Sequence, residues 1–129
     1  MRYVLDTHAL VWYLAQDPRL GREARKVLDD ENNLLIVPVI VLAEAKYIAS
    51  RKRVPLPFSE ILRWVATAPR CSILSLDVFT LAHFPDNLDI HDGLIVAAAL
   101  YSREFFGDDI TLLTKDLAIT QSGLLPTLW

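Results

Sequence analysis

The chain has 129 residues, 53% of them hydrophobic, and a formal net charge of -3 at pH 7. This length and composition predict one domain over residues 1–129, and they exclude a disordered chain and a protein that binds polyanions over its whole surface. The single cysteine, Cys71, excludes an internal disulfide and a zinc site made of cysteines, and it favours a reducing compartment.

No stretch of the sequence resembles a membrane span or a secretion signal. A span needs roughly 18 uninterrupted apolar residues, and none of the apolar runs is that long. The first residues lack the basic, apolar and small-residue order of a signal peptide. We therefore expect a cytoplasmic protein without a membrane partner.

Short apolar runs alternate with helical patterns in the first half of the chain. Residues 3–5 predict a buried strand that ends at Asp6 and turns into a helix reaching Leu14. A second helix over 20–30 and a strand over 34–37 follow. Two further helices are predicted over 39–51 and 58–68, the latter with Ile61, Leu62 and Val65 facing inward.

The same alternation continues in the second half. A strand is predicted over 71–76, a short helix over 77–84 and a long, alanine-rich helix over 90–105. A turn over 107–109, a strand over 110–113 and a helix over 115–121 come next, and the tail 124–129 is predicted to be an edge strand because it contains a proline. This order predicts an α/β fold with a central parallel sheet of four or five strands and helices on both faces.

Two acids follow predicted strands directly. Asp6 ends the first strand, and Asp116 lies just past the strand over 110–113. Ligands of open α/β sheets bind outside the carboxyl ends of the strands, so an acid at such a point faces a crevice. A helix cap or a surface loop acid is the structural alternative for Asp116.

Two other acids lie within apolar faces of predicted helices. Ile40, Val41 and Ile48 stand three or four residues from Glu44, and a similar apolar stripe contains Asp92. A buried carboxylate without a partner costs several kcal/mol, so each is expected to be paired, to bind a metal or to open on a crevice. The alternatives are a core glutamate bonded to backbone or arginine, and a first-turn aspartate favoured by the helix dipole.

Four carboxylates in one crevice would repel each other unless a cation lay between them. A site with only oxygen ligands suits Mg²⁺ or Mn²⁺, and such sites hydrolyse phosphodiesters by activating water. The residues therefore predict metal-assisted hydrolysis of a nucleic acid. Asp89, three residues before Asp92, is the weakest acid kept near the site, and it is expected to cap the helix.

Four segments of the sequence resemble the signatures of PIN-domain nucleases, in particular the small VapC-type toxins of toxin–antitoxin pairs. They are Val4-Leu5-Asp6-Thr7-His8-Ala9-Leu10, Val41-Leu42-Ala43-Glu44, Asp92-Gly93-Leu94-Ile95-Val96-Ala97-Ala98-Ala99 and Leu113-Thr114-Lys115-Asp116. The similarity covers essentially the whole chain, and the four segments occur in the order that the family has.

The resemblance implies a PIN-like three-layer fold and an endoribonuclease whose Mg²⁺ or Mn²⁺ is held by Asp6, Glu44, Asp92 and Asp116. It also implies a homodimer and inhibition by a small antitoxin protein whose C-terminal segment lies across the active-site groove. Thr7 and Thr114 match hydroxyl residues that support the acids or the scissile phosphate, although each could equally cap its own turn.

Other polar and aromatic residues have open interpretations. His8 either contacts substrate or is a partly buried helix histidine, and His91 is expected to be exposed beside the cap. Trp12, Tyr13 and Tyr47 belong either to a partner surface or to the core. Two groups of basic residues either form the rim of the site or are solvated helix faces. The first group is Arg19, Arg22, Arg25 and Lys26. The second group is Lys46, Arg51, Lys52 and Arg53.

Three rival functions fit the sequence less well. A signalling receiver domain needs an acidic pair after the first strand and a lysine near the last, but here Thr7 and His8 follow Asp6, and Lys115 alone is not sufficient. An aspartyl phosphatase needs a second acid two residues after Asp6, where this chain has His8. A catalytically silent PIN fold that serves as a binding module is the third, and the presence of all four acids argues against it.

Overall fold

The computed structural model describes residues 1–107 and 109–129. Within these residues the chain forms five parallel strands in one sheet, surrounded by seven helices. The strands are β1 (Arg2–Leu5), β2 (Leu34–Pro38), β3 (Cys71–Leu74), β4 (Ile110–Leu113) and β5 (Thr127–Leu128). The helices are α1 (Thr7–Leu14), α2 (Arg22–Asp29), α3 (Val39–Ser50), α4 (Phe58–Thr67), α5 (Val78–Leu81), α6 (Ile90–Phe106) and α7 (Leu117–Ser122).

The strand order is β3-β2-β1-β4-β5, with β1 in the centre. Tyr3 of β1 lies opposite Leu35 of β2 on one side and opposite Thr111 of β4 on the other. The chain first builds the sheet outward from β1 through β2 to β3, and it then returns to the other side of β1 for β4 and β5. β1 and β4 therefore border the topological switch point, where a parallel sheet opens a crevice beyond its carboxyl ends.

The core explains why the strands were recognisable in the sequence. Strands of a parallel sheet are covered by helices, so they consist of continuous apolar runs. Fully buried strand residues include Val4, Leu5, Leu35, Val37, Leu112 and Leu113. The predicted parallel sheet with surrounding helices is confirmed, and β5 is the predicted edge strand.

Aspartates begin four of the helices: Asp6, Asp77, Asp89 and Asp116 cap α1, α5, α6 and α7. Oδ1 of Asp6 accepts a hydrogen bond from the backbone N–H of Ala9, at 2.8 Å. Asp89 caps α6 and Asp116 caps α7 in the same way, each at 3.0 Å. Such N-caps satisfy backbone donors that have no partner inside the helix. The predicted cap at Asp89 is confirmed, and Asp116 adopts the cap that was the structural alternative for it.

A few local predictions were wrong. Leu62 is 39% exposed because the buried pair of α4, Ile61 and Val65, lies four residues apart, and Leu62 is rotated away from that face. β3 ends two residues earlier than predicted, and α5 is shorter. The predicted turn over 107–109 includes residue 108, which lies outside the described residues. None of the helices in the described part of the chain combines the length and hydropathy required to cross a bilayer.

Candidate active site

Asp6 lies at the switch point of the sheet. Its backbone N–H donates to the carbonyl oxygen of Leu113, at 3.1 Å, which extends the pairing of β1 and β4 by one residue. Asp6 is only 7% exposed, and the neighbouring Thr7 and Thr114 are also buried. The first polar residue after β1 is therefore held by a backbone hydrogen bond beside the end of β4.

A cavity of about 450 Å³ opens beyond these strand ends. Its walls come from the end of β1, from α3, from the first turn of α6 and from the segment after β4. Four carboxylate residues line it, and we call them the four acids: Asp6, Glu44, Asp92 and Asp116. The structure thus brings together all four carboxylates that the sequence singled out, in what we call the acid cavity.

Glu44 contributes a carboxylate oxygen without a partner. Its Oε1 is buried, and none of the described residues donates a hydrogen bond to it. Leaving such an atom unsatisfied costs about 1–3 kcal/mol or more for a charged group. The helix face that contains Glu44 packs at Val41, which is fully buried, but it also lines cavities, and Tyr47 on it is 52% exposed. Glu44 therefore opens on a crevice.

The carboxyl group of Asp6 has a pKa raised from 3.8 to about 6. Burial is the main cause, and the negative charges of Asp116 and Glu44 add to it. Hydrogen bonds from the Thr114 side chain and the Ala9 backbone act in the opposite direction. Asp6 is therefore costly to ionise without a cation in the cavity.

Asp92 has a similarly raised pKa, also about 6. Burial is again the main cause, followed by the charges of Asp116, Asp89 and Glu44. Asp92 and Asp6 both interact electrostatically with Asp116 and Glu44, so each of the four acids repels at least two others. A cation bound among them would relieve this repulsion.

The supporting residues predicted from the sequence differ in position. Oγ1 of Thr114 accepts from the backbone N–H of Asp116 at 3.1 Å, and the same side chain is hydrogen-bonded to Asp6, so Thr114 joins the two strand-end acids. Thr7 lines the acid cavity, and its buried Oγ1 has no partner among the described residues. Asp89 is exposed and does not line the acid cavity, but it caps α6 beside Asp92.

The donor set of the acid cavity fits a hydrated divalent ion. All four donors are carboxylates, and one oxygen of Glu44 is buried and unpaired. Across residues 1–107 and 109–129, no three His, Cys, Asp or Glu side chains form a group that could hold a metal ion by themselves. A divalent ion in this cavity would therefore be held by only one or two of the carboxylates and would keep several waters.

Lys115 and His8 also line the acid cavity. The ammonium nitrogen of Lys115 lies 4.4 Å from the centre of the Trp12 ring, which is a cation–π contact. The side chain of His8 is partly exposed in the cavity. Its pKa is lowered, first because part of the ring is buried and second because of the positive charge of Lys115. Trp12 itself is 5% exposed and belongs to the core. The sequence analysis missed Lys115 as a cavity residue, although its place between Thr114 and Asp116 was a signal.

The sequence matches the family model of the PIN domain over residues 3–120. The chain therefore belongs to the PIN domain family, whose members are generally nucleases and generally use divalent metals. This confirms the family indicated by the four segments of the sequence. No curated protein matches the chain by sequence.

Solved structures share the fold across nearly the whole chain. VapBC2 from Rickettsia felis, solved with a DNA fragment from its promoter, is 19% identical with a TM-score of 0.68, over 99% of this chain and 98% of that one. VapBC-1 from nontypeable Haemophilus influenzae is 19% identical with a TM-score of 0.64, over 99% and 97%. The RRP44 PIN domain of T. brucei is 10% identical with a TM-score of 0.57, over 98% and 75%.

Proposed function

We propose that residues 1–129 form a single nuclease domain that hydrolyses phosphodiester bonds of RNA as a divalent-metal-dependent endoribonuclease. The four acids are its metal-binding and catalytic residues in this proposal. The observation that carries it is their convergence on one cavity at the switch point of the sheet. Membership in a family of nucleases supports the reaction class.

The four acids would hold Mg²⁺ or Mn²⁺, with Glu44 supplying the oxygen that lacks a protein partner. A divalent ion at such a site supplies Lewis acidity and neutralises the charge that develops on the phosphate. Two features of the acids support this assignment. Their donor atoms are all oxygen, and their mutual repulsion favours a cation between them.

The chain's own side chains supply ligands for the ion and positive charge. Asp92, whose pKa is raised to about 6 by burial and by the neighbouring acids, would be held in its ionised form by a bound cation and would serve as a ligand of that ion. Lys115 extends a cation into the same cavity, where it would bind a phosphate oxygen. Thr114 would support Asp6 and Asp116 through its side chain, Thr7 lines the cavity with a buried hydroxyl group that has no partner among the described residues, and Asp89 caps the first turn of α6.

We further propose that the chain is the toxin of a toxin–antitoxin pair that acts on RNA in the cytoplasm. The likeness in fold to the two VapBC structures supports this role, and a small cognate antitoxin protein would be its partner. The proposal includes a homodimer. Apolar side chains exposed on α5 and at the start of α6 support a dimer surface there, because large exposed apolar groups mark interaction sites. They are Val78, Phe79, Leu81 and Ile90.

Cleavage of labelled single-stranded RNA by dialysed protein, with and without added Mn²⁺, tests the enzyme. We expect cleavage only with the metal. Asp92→Asn should lower the rate by roughly a hundredfold or more, as expected for loss of a residue that contacts the ion. Asp86→Asn, which changes an exposed acid outside the acid cavity, is the matched control and should cleave normally.

The outcomes separate the proposed enzyme from its rivals. RNA cleavage that is equal in Asp92→Asn and wild type would remove the mechanism. RNA binding without cleavage under any metal would make the chain a silent binding module. Light scattering tests the dimer: Phe79→Glu should yield monomers, whereas Phe105→Glu, on an exposed residue near the other end of α6, should not.

A further inference from the structure

A second cavity of about 660 Å³ adjoins the acid cavity. His8, Glu44 and Ile48 line both, so the two spaces share a wall. Side chains such as Ile40 and Val54 make much of the second wall apolar. We call this space the side cavity. Its size lies within the range of about 300–1,000 Å³ that is typical of small-molecule sites.

An exposed aromatic ring and an arginine lie together in the side cavity. The ring of Tyr47 is half exposed; the guanidinium carbon of Arg51 lies 4.7 Å from its centre, and that of Arg53, which lines the cavity, lies 5.9 Å from it. Among the residues that the structure describes, Arg53 forms no ion pair. Arg19, which also lines the cavity, is held by Asp17 at 2.8 Å, so Arg53 is the cation that remains available to a ligand.

Trp12 supports a cation in each of the two cavities. The guanidinium of Arg19 lies 4.5 Å from the centre of its ring, and the ammonium of Lys115 lies 4.4 Å from it. Arg19 lines the side cavity and Lys115 lines the acid cavity. One buried indole thus holds one cation at each of the two adjoining cavities.

These features match the chemistry of a nucleotide. A nucleotide has a flat, largely apolar base and an anionic phosphate, and proteins that bind single strands combine aromatic stacking surfaces with a positively charged groove. The side cavity offers an apolar wall, a half-exposed ring and an arginine without a carboxylate partner. An acidic peptide would use the cations but would gain little from the apolar wall.

We propose that the side cavity binds the nucleotide next to the scissile phosphate in single-stranded RNA, with Tyr47 contacting the base and Arg53 the phosphate. This assignment rests on the proposed function, because it places the cleaved bond in the acid cavity. It makes Tyr47 and Arg53 substrate-binding residues that set which nucleotide is accepted beside the cut.

The first test measures binding without catalysis. A short fluorescent single-stranded oligoribonucleotide is titrated with each variant in EDTA. Tyr47→Ala should weaken binding by roughly 5- to 100-fold, the range for loss of one stacked base, and Tyr47→Phe should bind like wild type. Arg53→Ala should weaken binding and lower the slope of log affinity against log salt by about 0.7, the single-strand value for one phosphate. Lys46→Ala removes the same charge from an exposed residue outside both cavities and should change neither.

The second test uses the cleavage reaction with Mn²⁺. Tyr47→Ala and Arg53→Ala should raise KM while kcat changes little, and an RNA that lacks the base beside the cut should raise KM for wild type to the same degree. If RNA is cut but neither variant nor the abasic RNA changes KM, this inference is overturned while the nuclease stands. If wild type cuts no RNA but its binding in EDTA depends on Tyr47 and Arg53, the side cavity still binds a nucleotide, whereas the nuclease fails and with it the placement of that nucleotide beside a cut. Circular dichroism of each variant checks its folding.

Discussion

Phe84 packs its ring directly against Gly93, the residue that follows Asp92 in α6. A Cβ atom at position 93 would lie 2.6 Å from Cε2 and Cζ of Phe84, closer than real side chains approach. The glycine therefore allows the segment after α5 to lie against the first turns of α6, next to one of the four acids.

Gly93→Ala should destabilise the protein by about 1–3 kcal/mol through overpacking. Helix propensity alone would favour alanine by about 1 kcal/mol, so the sign of the change separates the two effects. The free energy of unfolding in urea measures it, and Phe84→Leu should reduce the cost of Gly93→Ala in a double-mutant cycle. A Gly93→Ala variant that is more stable than wild type would contradict the prediction.

Asp6→Asn should stabilise the metal-free protein at high pH. Because the pKa of Asp6 is raised to about 6, the folded state binds this proton more tightly than the unfolded state does. The unfolding free energy therefore rises as the pH falls from about 6 towards 4. The burial cost that Asp6→Asn removes at pH 8 is on the order of 3 kcal/mol, since one pKa unit corresponds to about 1.4 kcal/mol. Asparagine retains the N-cap.

Urea unfolding in EDTA between pH 4 and 8 measures the difference in unfolding free energy between Asp6→Asn and wild type. This difference should vanish near pH 4. Asp17→Asn is a control of opposite sign. The hydrogen bonds of Arg19 lower the pKa of Asp17 to about 2, so its contribution to stability is present above the unfolded value and is lost as the pH falls. Equal stability of Asp6→Asn and wild type at pH 8 would show that Asp6 is not strained by burial.

Mn²⁺ should raise the melting temperature of the wild-type protein. A ligand at 100 times its Kd stabilises the folded state by about 2.7 kcal/mol. Glu44→Gln removes the charge beside the unpaired oxygen and should abolish most of this shift. Glu60→Gln, on an exposed residue of α4, should leave it intact. A full shift in Glu44→Gln would exclude Glu44 as a ligand.

The His83 ring should titrate at a higher pH than a free histidine. Its Nε2 is hydrogen-bonded to Oε2 of Glu104, and its Nδ1 lies 3.1 Å from the carbonyl oxygen of Phe79. The Glu104 contact, followed by that carbonyl, raises the pKa of His83. The resulting stabilisation is present below the unfolded pKa and is lost as the pH rises through the raised value.

The pair lies near the surface, so its contribution should stay under about 1 kcal/mol. An NMR titration of the His83 ring protons measures the pKa, and Glu104→Gln should bring it back towards the ordinary value. A His83 pKa that is the same in wild type and Glu104→Gln would show that the pair does not form in solution.

Much of the fold was predictable because its signals are local. Buried parallel strands are continuous apolar runs, and Asp6 and Asp116 directly follow two of them. The convergence of these two acids then follows from the general rule that strand ends of a parallel sheet meet at one edge. Glu44 and Asp92 could be predicted because a carboxylate within an apolar helical stripe is costly to bury unless it is paired, binds a metal or opens on a crevice.

The rest depends on contacts that spacing does not encode. The apolar neighbours of Glu44 suggested a packed face, but only the tertiary arrangement shows that this face borders two cavities. The two cations held by Trp12 are more than 90 positions apart in the sequence. Leu62 was misplaced because two adjacent apolar residues of a helix cannot be distinguished by pattern alone.

The helix caps at Asp6 and Asp116 have a genetic consequence. Each of these side chains both begins a helix and borders the acid cavity. Asparagine can replace aspartate in the first role but not in the second, and a single transition in the codon makes that exchange. If the proposed nuclease is correct, one base change at either codon would therefore yield a folded but inactive molecule that still competes for the binding partners of the active form, as a dominant-negative allele does.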